Sequence, residues 1–229
     1  VRRAPRRAGQ RALSPLTPVS PTALAAGLAR LADLPGTPRV LLDGHGTAGL
    51  SDDLCRALRE HGRRPLQVRA SAFWRPAGER FTWGREDWQA FRDSWLDAAA
   101  LRREVLEAGS TWLPALWDVE RDRSARAVVQ PVPDRAVLVV DGTFLLGTGL
   151  LDTGLPGTGL LDTGLPGTGL PAELTVHVAL STAALTRRGV PAWQLPAFTS
   201  YEEQADPSGR CDVLVRAEDP KRPAVRWPA

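Results

Sequence analysis

The stretch RVLLDGHGTAGLSDDL, residues 39–54, constrains the fold of this chain more than any other part of it. An apolar run of strand length enters a glycine-rich turn, and an amphipathic helical pattern begins behind the turn. Strand, tight turn and helix in that order form the corner with which nucleotide-binding α/β folds hold phosphate, because main-chain amides and a helix N-terminus face the anion. Two motifs fit at once. Gly44-His45-Gly46-Thr47-Ala48-Gly49 satisfies the dinucleotide fingerprint G-x-G-x-x-G. The next strand ends VRAS, without the acidic residue that a NAD ribose requires, so this reading leaves NADP, with Arg69 and Ser71 near its 2′-phosphate. Residues 44–51 also fit the P-loop pattern G-x-x-x-x-G-K-[ST], with Leu50 standing where the lysine belongs.

The rest of the chain repeats the alternation. SPTALAAGLARLAD places Ser20 as N-cap, Pro21 at the first helical position and Leu24, Leu28 and Leu31 at helical spacing, which predicts a short helix packed outside the core. After the helix SDDLCRALREHG come the strand PLQVRA and one long helix over EDWQAFRDSWLDAAALRREVLEAG, with Phe91, Trp95, Leu101 and Val105 as its buried stripe. AVLVVD, LTVHVAL and DVLVR supply three more strands. Apolar strands separated by helices imply an α/β fold with a mostly parallel sheet covered on both faces.

At 229 residues, 43% hydrophobic and 24% charged, the chain suits one soluble domain, expected over 20–229, behind a basic arm over 1–19 whose opening VRRAPRRAGQR predicts disorder. The net charge is only +3, so no specific nucleic-acid partner is expected, and the basic side is almost wholly arginine, Lys221 being the single lysine. No run reaches the roughly 18 apolar residues that span a bilayer, which gives no membrane partner and an expected cytoplasmic location. Cys55 and Cys211 are expected as reduced thiols, and His45, His61 and His177 are too scattered for a zinc site. GTGLLDTGLP at 147–156 recurs identically at 157–166, and the Gly-rich stretch 147–170 is read as a duplicated surface-loop insertion. Its Asp152-Thr153-Gly154 and Asp162-Thr163-Gly164 match the aspartic-protease triplet, but both lie in one loop of an α/β pattern, where two lobes are needed.

The longer blocks SAFWRPAGERFTWGRED, LPALWDVERDR, VLVVDGTFLL, PAWQLPAFTSYEEQADP and DVLVRAEDPKRP occur in an order that resembles the uridine kinase-like proteins of high-GC bacteria, from about Arg39 to the C-terminus. That resemblance implies a P-loop kinase-like three-layer sandwich with a five-stranded sheet, a degenerate Walker A loop at 44–51, and ATP with Mg²⁺ as cofactors of transfer to a nucleoside 5′-hydroxyl. It implies a nucleotide site of Gly44, Gly46, Thr47, Ala48, Gly49, Leu50 and Ser51, with Ser51 and Asp141 toward the metal. Glu86 and Asp118 would meet the nucleoside, Trp74, Trp83 and Trp117 could stack on its base, and Arg187 and Arg188 fall where a lid arginine is expected. Two departures weigh against activity. Leu50 removes a preorganised donor, a loss of about 3–4 kcal/mol. Ser71 stands where the family carries the aspartate that takes the hydroxyl proton, a further loss of roughly 10² to 10⁴ in rate. A non-catalytic nucleotide sensor is the other expectation for such a chain. Nothing in the sequence sets its oligomeric state.

Overall fold

The computed structural model describes residues 15–147 and 170–228. Most of the basic arm, and both Asp-Thr-Gly triplets of the duplicated loop, lie outside the described residues. Five parallel strands form the sheet expected from the sequence: β2 (Arg39–Gly44), β3 (Arg64–Arg69), β4 (Ala136–Gly142), β5 (Leu174–Ala179) and β6 (Val213–Arg216). Two short antiparallel strands extend its edge, β7 (Ala224–Arg226) beside β6 and β1 (Thr17–Pro18) beside β7. The end of the stretch expected as a disordered arm is therefore a paired strand.

The order across the sheet is β1-β7-β6-β5-β2-β4-β3. β4 thus lies between β2 and β3, whereas in a dinucleotide-binding fold the first two parallel strands are neighbours. This topology removes the NADP reading. Arg69, its proposed 2′-phosphate ligand, is instead turned back to Asp141, Asp52 and the Ala48 carbonyl.

Helices α1 (Pro21–Ala32) and α2 (Ala48–Glu60) cover one face of the sheet. Ser20 caps α1 by accepting from the Ala23 amide, as its sequence predicts, but the helix is part of the core rather than outside it. Leu24 and Leu28 join Leu54 and Leu58 of α2 against Val40, Leu42, Val139 and Val176. Each fully buried leucine of this kind contributes about 1.5–3 kcal/mol.

The opposite face carries Leu41, Val68, Leu138 and Val140 against Phe73, Leu101 and Val105. The single long helix expected over this region is broken into α3 (Trp88–Asp93), α4 (Ala98–Leu101) and a π-helical turn at Arg102–Leu106. Asp87 starts the first piece by accepting from the Ala90 amide, and Asp97 explains the break, because it accepts from the Ala100 amide and starts a new helix. Between them Leu96 forms a bridge with Trp74, which holds the chain extended. α5 (Thr182–Arg187) and α6 (Leu195–Ala205) complete the layer, and Ala197 and Tyr201 of α6 pack with Phe91, Trp95 and Phe144. Cys55 and Cys211 are buried and free, and burial pushes both thiols up to about 11. No described helix is long and apolar enough to cross a membrane.

Candidate phosphate-loop site

The turn between β2 and α2 is built by glycines that no other residue replaces cheaply. Gly44 has φ +128 and Gly46 has φ +73. A Cβ on Gly44 would stand 2.5 Å from the Val178 carbonyl oxygen of β5, so the backbone must pass there bare. α2 begins at Ala48, and Thr47 makes no side-chain cap, whereas Ser20, Asp87, Asp97 and Ser181 each cap their helices. The first amides of an α-helix have no carbonyl four residues back to accept them. At α2 they and the positive end of the helix face outward beside exposed Gly46, Ala48 and Gly49.

Arg188 lies over this turn, with Nη1 3.5 Å from where a Cβ on Gly46 would be, and its other nitrogen donates to the Ala217 carbonyl. Burial, followed by the charge of Arg188, lowers the pKa of His45. Arg187, expected beside it, points elsewhere and pairs loosely with Glu218 at 3.8 Å. Leu50, at the lysine position, is partly buried and packs against the apolar cluster under α1 and α2.

Ser51 and Asp141 come together as the sequence predicts, but with an unforeseen third party. Arg69 and Asp141 are register partners on adjacent strands. The Arg69 guanidinium donates to Asp141 Oδ2 at 2.6 Å, to Asp52 Oδ1 at 2.7 Å and to the Ala48 carbonyl at 3.2 Å. Ser51 is fully buried, donates to Asp141 and accepts from Gln67 Nε2 at 2.9 Å. Gln67 also donates to Asp52 at 2.7 Å. Burial raises the proton affinity of the Asp141 carboxyl, against the opposing pull of the Ser51 hydroxyl and Arg69. A divalent ion between Ser51 and Asp141 would need oxygens that are already committed to a guanidinium and an amide. As they stand, these residues do not fit Mg²⁺.

On the other face of the sheet lies a second polar cluster. Asp43, fully buried, accepts from the Leu145 amide at 2.8 Å, from Tyr201 Oη at 2.8 Å and from His177 Nδ1 at 2.7 Å. His177 Nε2 meets Glu202 Oε1 at 2.6 Å, and Tyr201 accepts from the Leu146 amide. Burial would lower the His177 pKa, but Asp43 and Glu202 outweigh it and hold the imidazole at about 9. The sequence carries one signal for this cluster, an aspartate closing an otherwise apolar strand, and the scattered spacing of His177 gives none.

Two adjoining cavities lie here, and one of them reaches the loop. One, of about 320 Å³, runs from Gly44 and His45 past His177 to Ser181, Phe198 and Glu202. The other, of about 380 Å³, is lined by Trp74, Phe91, Thr143 and Gln204 together with Arg75, Arg92 and Arg102. Phe144 and Tyr201 line both cavities. Phe144 has φ +64, a left-handed backbone that a bulky residue adopts only when its surroundings enforce it.

Of the residues expected at an acceptor site, Trp74 reaches the larger cavity and the others do not. Trp83 is 76% exposed and Glu86 is also exposed. Asp118 closes a surface turn through Arg121 at 2.8 Å, and Trp117 donates to Asp122. Ser71 sits half-buried in the 3₁₀ turn Ala70–Phe73, and its carbonyl accepts from the Trp74 amide.

No family model and no curated protein matches this chain. Solved structures do. That of a possible uridine kinase from Bacillus stearothermophilus superposes with a TM-score of 0.60 at 18% identity, over 85% of this chain and 96% of that one. A protein described as a fructose transport system kinase from Silicibacter sp. TM1040 gives 0.52 at 21% identity, over 92% of this chain and 97% of that one. The chain shares the fold of these two kinases.

Proposed function

We propose that this protein is a P-loop phosphotransferase of the uridine kinase kind whose transfer chemistry is weak or lost, with ATP phosphates held at residues 44–51 and a small hydroxyl-bearing acceptor, a nucleoside, in the cavity beside Trp74. The observation that carries this reading is the β2–α2 turn. Its glycines, its helix start without a side-chain cap and the Arg188 guanidinium above Gly46 together offer an anion main-chain donors and one cation. The shared kinase fold adds the expectation that an acceptor lies nearby, and the cavity walled by Trp74, Phe144 and Tyr201 is large enough for one.

The same turn argues for weak chemistry. Leu50 packs into the core and brings no charge to the phosphates, and Ser71 offers a hydroxyl where a carboxylate would take a proton. A non-catalytic nucleotide-binding protein is the second reading, favoured by that packing of Leu50.

Calorimetry with ATP and a coupled assay on uridine and cytidine test the proposal. ATP binding with turnover far below the usual kinase range of about 1–100 per second is expected. Turnover within that range overturns the loss of activity, and absence of ATP binding overturns the site. Leu50→Lys combined with Ser71→Asp is expected to raise the residual rate by about a hundredfold or more. No gain from the pair would remove the kinase ancestry of these two positions and leave the binding-only reading.

A further inference from the structure

The cluster around Arg69 has the layout of a cation site whose cation is already present. Ser51 and Asp52 from the first turns of α2, Gln67 and Arg69 from β3 and Asp141 from β4 converge on one point below the phosphate loop. At that point stands the Arg69 guanidinium, fixed by three acceptors on two elements: the carboxylates of Asp141 and Asp52 and the Ala48 carbonyl. A guanidinium against the positive end of a helix is unfavourable alone, so the two carboxylates are what keep it there. Gln67 completes the arrangement by occupying the Ser51 hydroxyl and the same Asp52 oxygen that Arg69 uses. The Arg69 side chain is 37% exposed whereas that of Asp141 is 6% exposed, so the cation that neutralises the enclosed acid itself remains reachable from solvent.

We infer that Arg69 is the resident cation of this site and that the protein binds nucleotide phosphates without a divalent metal. The inference rests on the phosphate-loop reading given above and goes beyond it by replacing the ion that such a site normally employs with a side chain. Arginine suits this role because its planar fork bonds several oxygens in fixed directions and it stays charged at any physiological pH. Together with Arg188 it leaves the loop flanked by arginines, in a chain whose single lysine, Lys221, lies near the C-terminus.

The test is ATP binding by calorimetry in millimolar Mg²⁺ and again in EDTA, on the full chain and on Arg69→Gln and Arg69→Lys. The wild-type affinity is expected to differ by less than about twofold between the two buffers. Arg69→Gln should bind ATP about tenfold or more weakly in EDTA, the size of one lost charge-assisted bond, and recover in Mg²⁺ once the Asp141 carboxylate is freed. Arg69→Lys, which keeps the charge but loses the fork, should fall between them. Mn²⁺ titrated alone and followed by electron paramagnetic resonance should show no bound ion on the wild type and a bound ion on Arg69→Gln. Wild-type affinity that rises about tenfold or more on adding Mg²⁺, or Mn²⁺ bound by the wild type, overturns the inference while leaving the phosphate site standing. Absence of ATP binding in both buffers overturns the phosphate site and the inference with it.

Discussion

Two acid–base pairs sit at the carboxyl ends of the same sheet, and each joins register partners on neighbouring strands: Asp43 with His177 across β2 and β5, and Asp141 with Arg69 across β4 and β3. They point to opposite faces, because Asp141 is level with Leu42 rather than with Asp43. Asp43 is closed in by a main-chain amide, a phenol and an imidazole, all parts of the fold that cannot leave without unfolding it. Asp141 is held by the buried Ser51 hydroxyl and by an arginine side chain a little over one-third exposed, beside an open glycine turn. The difference shows how one sheet edge separates two tasks. A carboxylate with fixed donors ties the loop after β4 and helix α6 to the base of the glycine turn, and a carboxylate paired with an arginine ties β3 to β4 and, through Asp52 and Ala48, to the start of α2.

The comparison breaks most readily at Asp43. Asp43→Ala removes the buried acceptor shared by the His177 imidazole and the Tyr201 hydroxyl and leaves Glu202 as the imidazole's remaining acid, an expected cost of about 3–5 kcal/mol in urea denaturation. A cost below about 1 kcal/mol, the usual size for an exposed pair, would make Asp43 no different from a surface acid. Next in size is a pH effect. The folded-state pKa of His177, about 9, lies above its ordinary value of 6.5, so its contribution is complete below about pH 6.5 and is lost as pH rises through 9. Stability is expected to fall over that window by up to about 3 kcal/mol, and His177→Gln should flatten the profile there. A profile unchanged by the substitution would show that His177 is not the titrating group.

Asp141→Asn sharpens the contrast from the other side. Arg69 keeps Asp52 and the Ala48 carbonyl, so an expected loss of only about 1 kcal/mol should accompany a weakened affinity for ATP. Smallest of all is Glu202→Gln. Its side chain is 40% exposed, and solvent screening limits the cost to about 0.5–1 kcal/mol even though it touches the same imidazole as Asp43.

The legible part of this protein was local. Strand β2, the glycine turn and helix α2 were readable because apolar period, positive-φ glycines and helical spacing act over a few residues. Ser20 announced α1 in the same way, while Asp97 announced a helix start that a continuous apolar stripe concealed. Trp83, Glu86 and Asp118, placed by resemblance at an acceptor site, lie on the surface or in a surface turn. Their block of sequence packs by its aromatic rings, with Phe91 and Trp95 buried and Trp74 partly buried against them.

The sequence by itself determined that a bare-backbone turn would join an apolar strand to a helix, within an alternating α/β chain, and that lysine would be missing from that turn. Only the tertiary structure decided which charges would stand around it. Arg69 reaches Asp141 across 72 residues and His177 reaches Asp43 across 134, through strand order and register. Those are set by how the whole sheet buries its two faces, and a shift of one residue would have turned every one of these side chains to the other side.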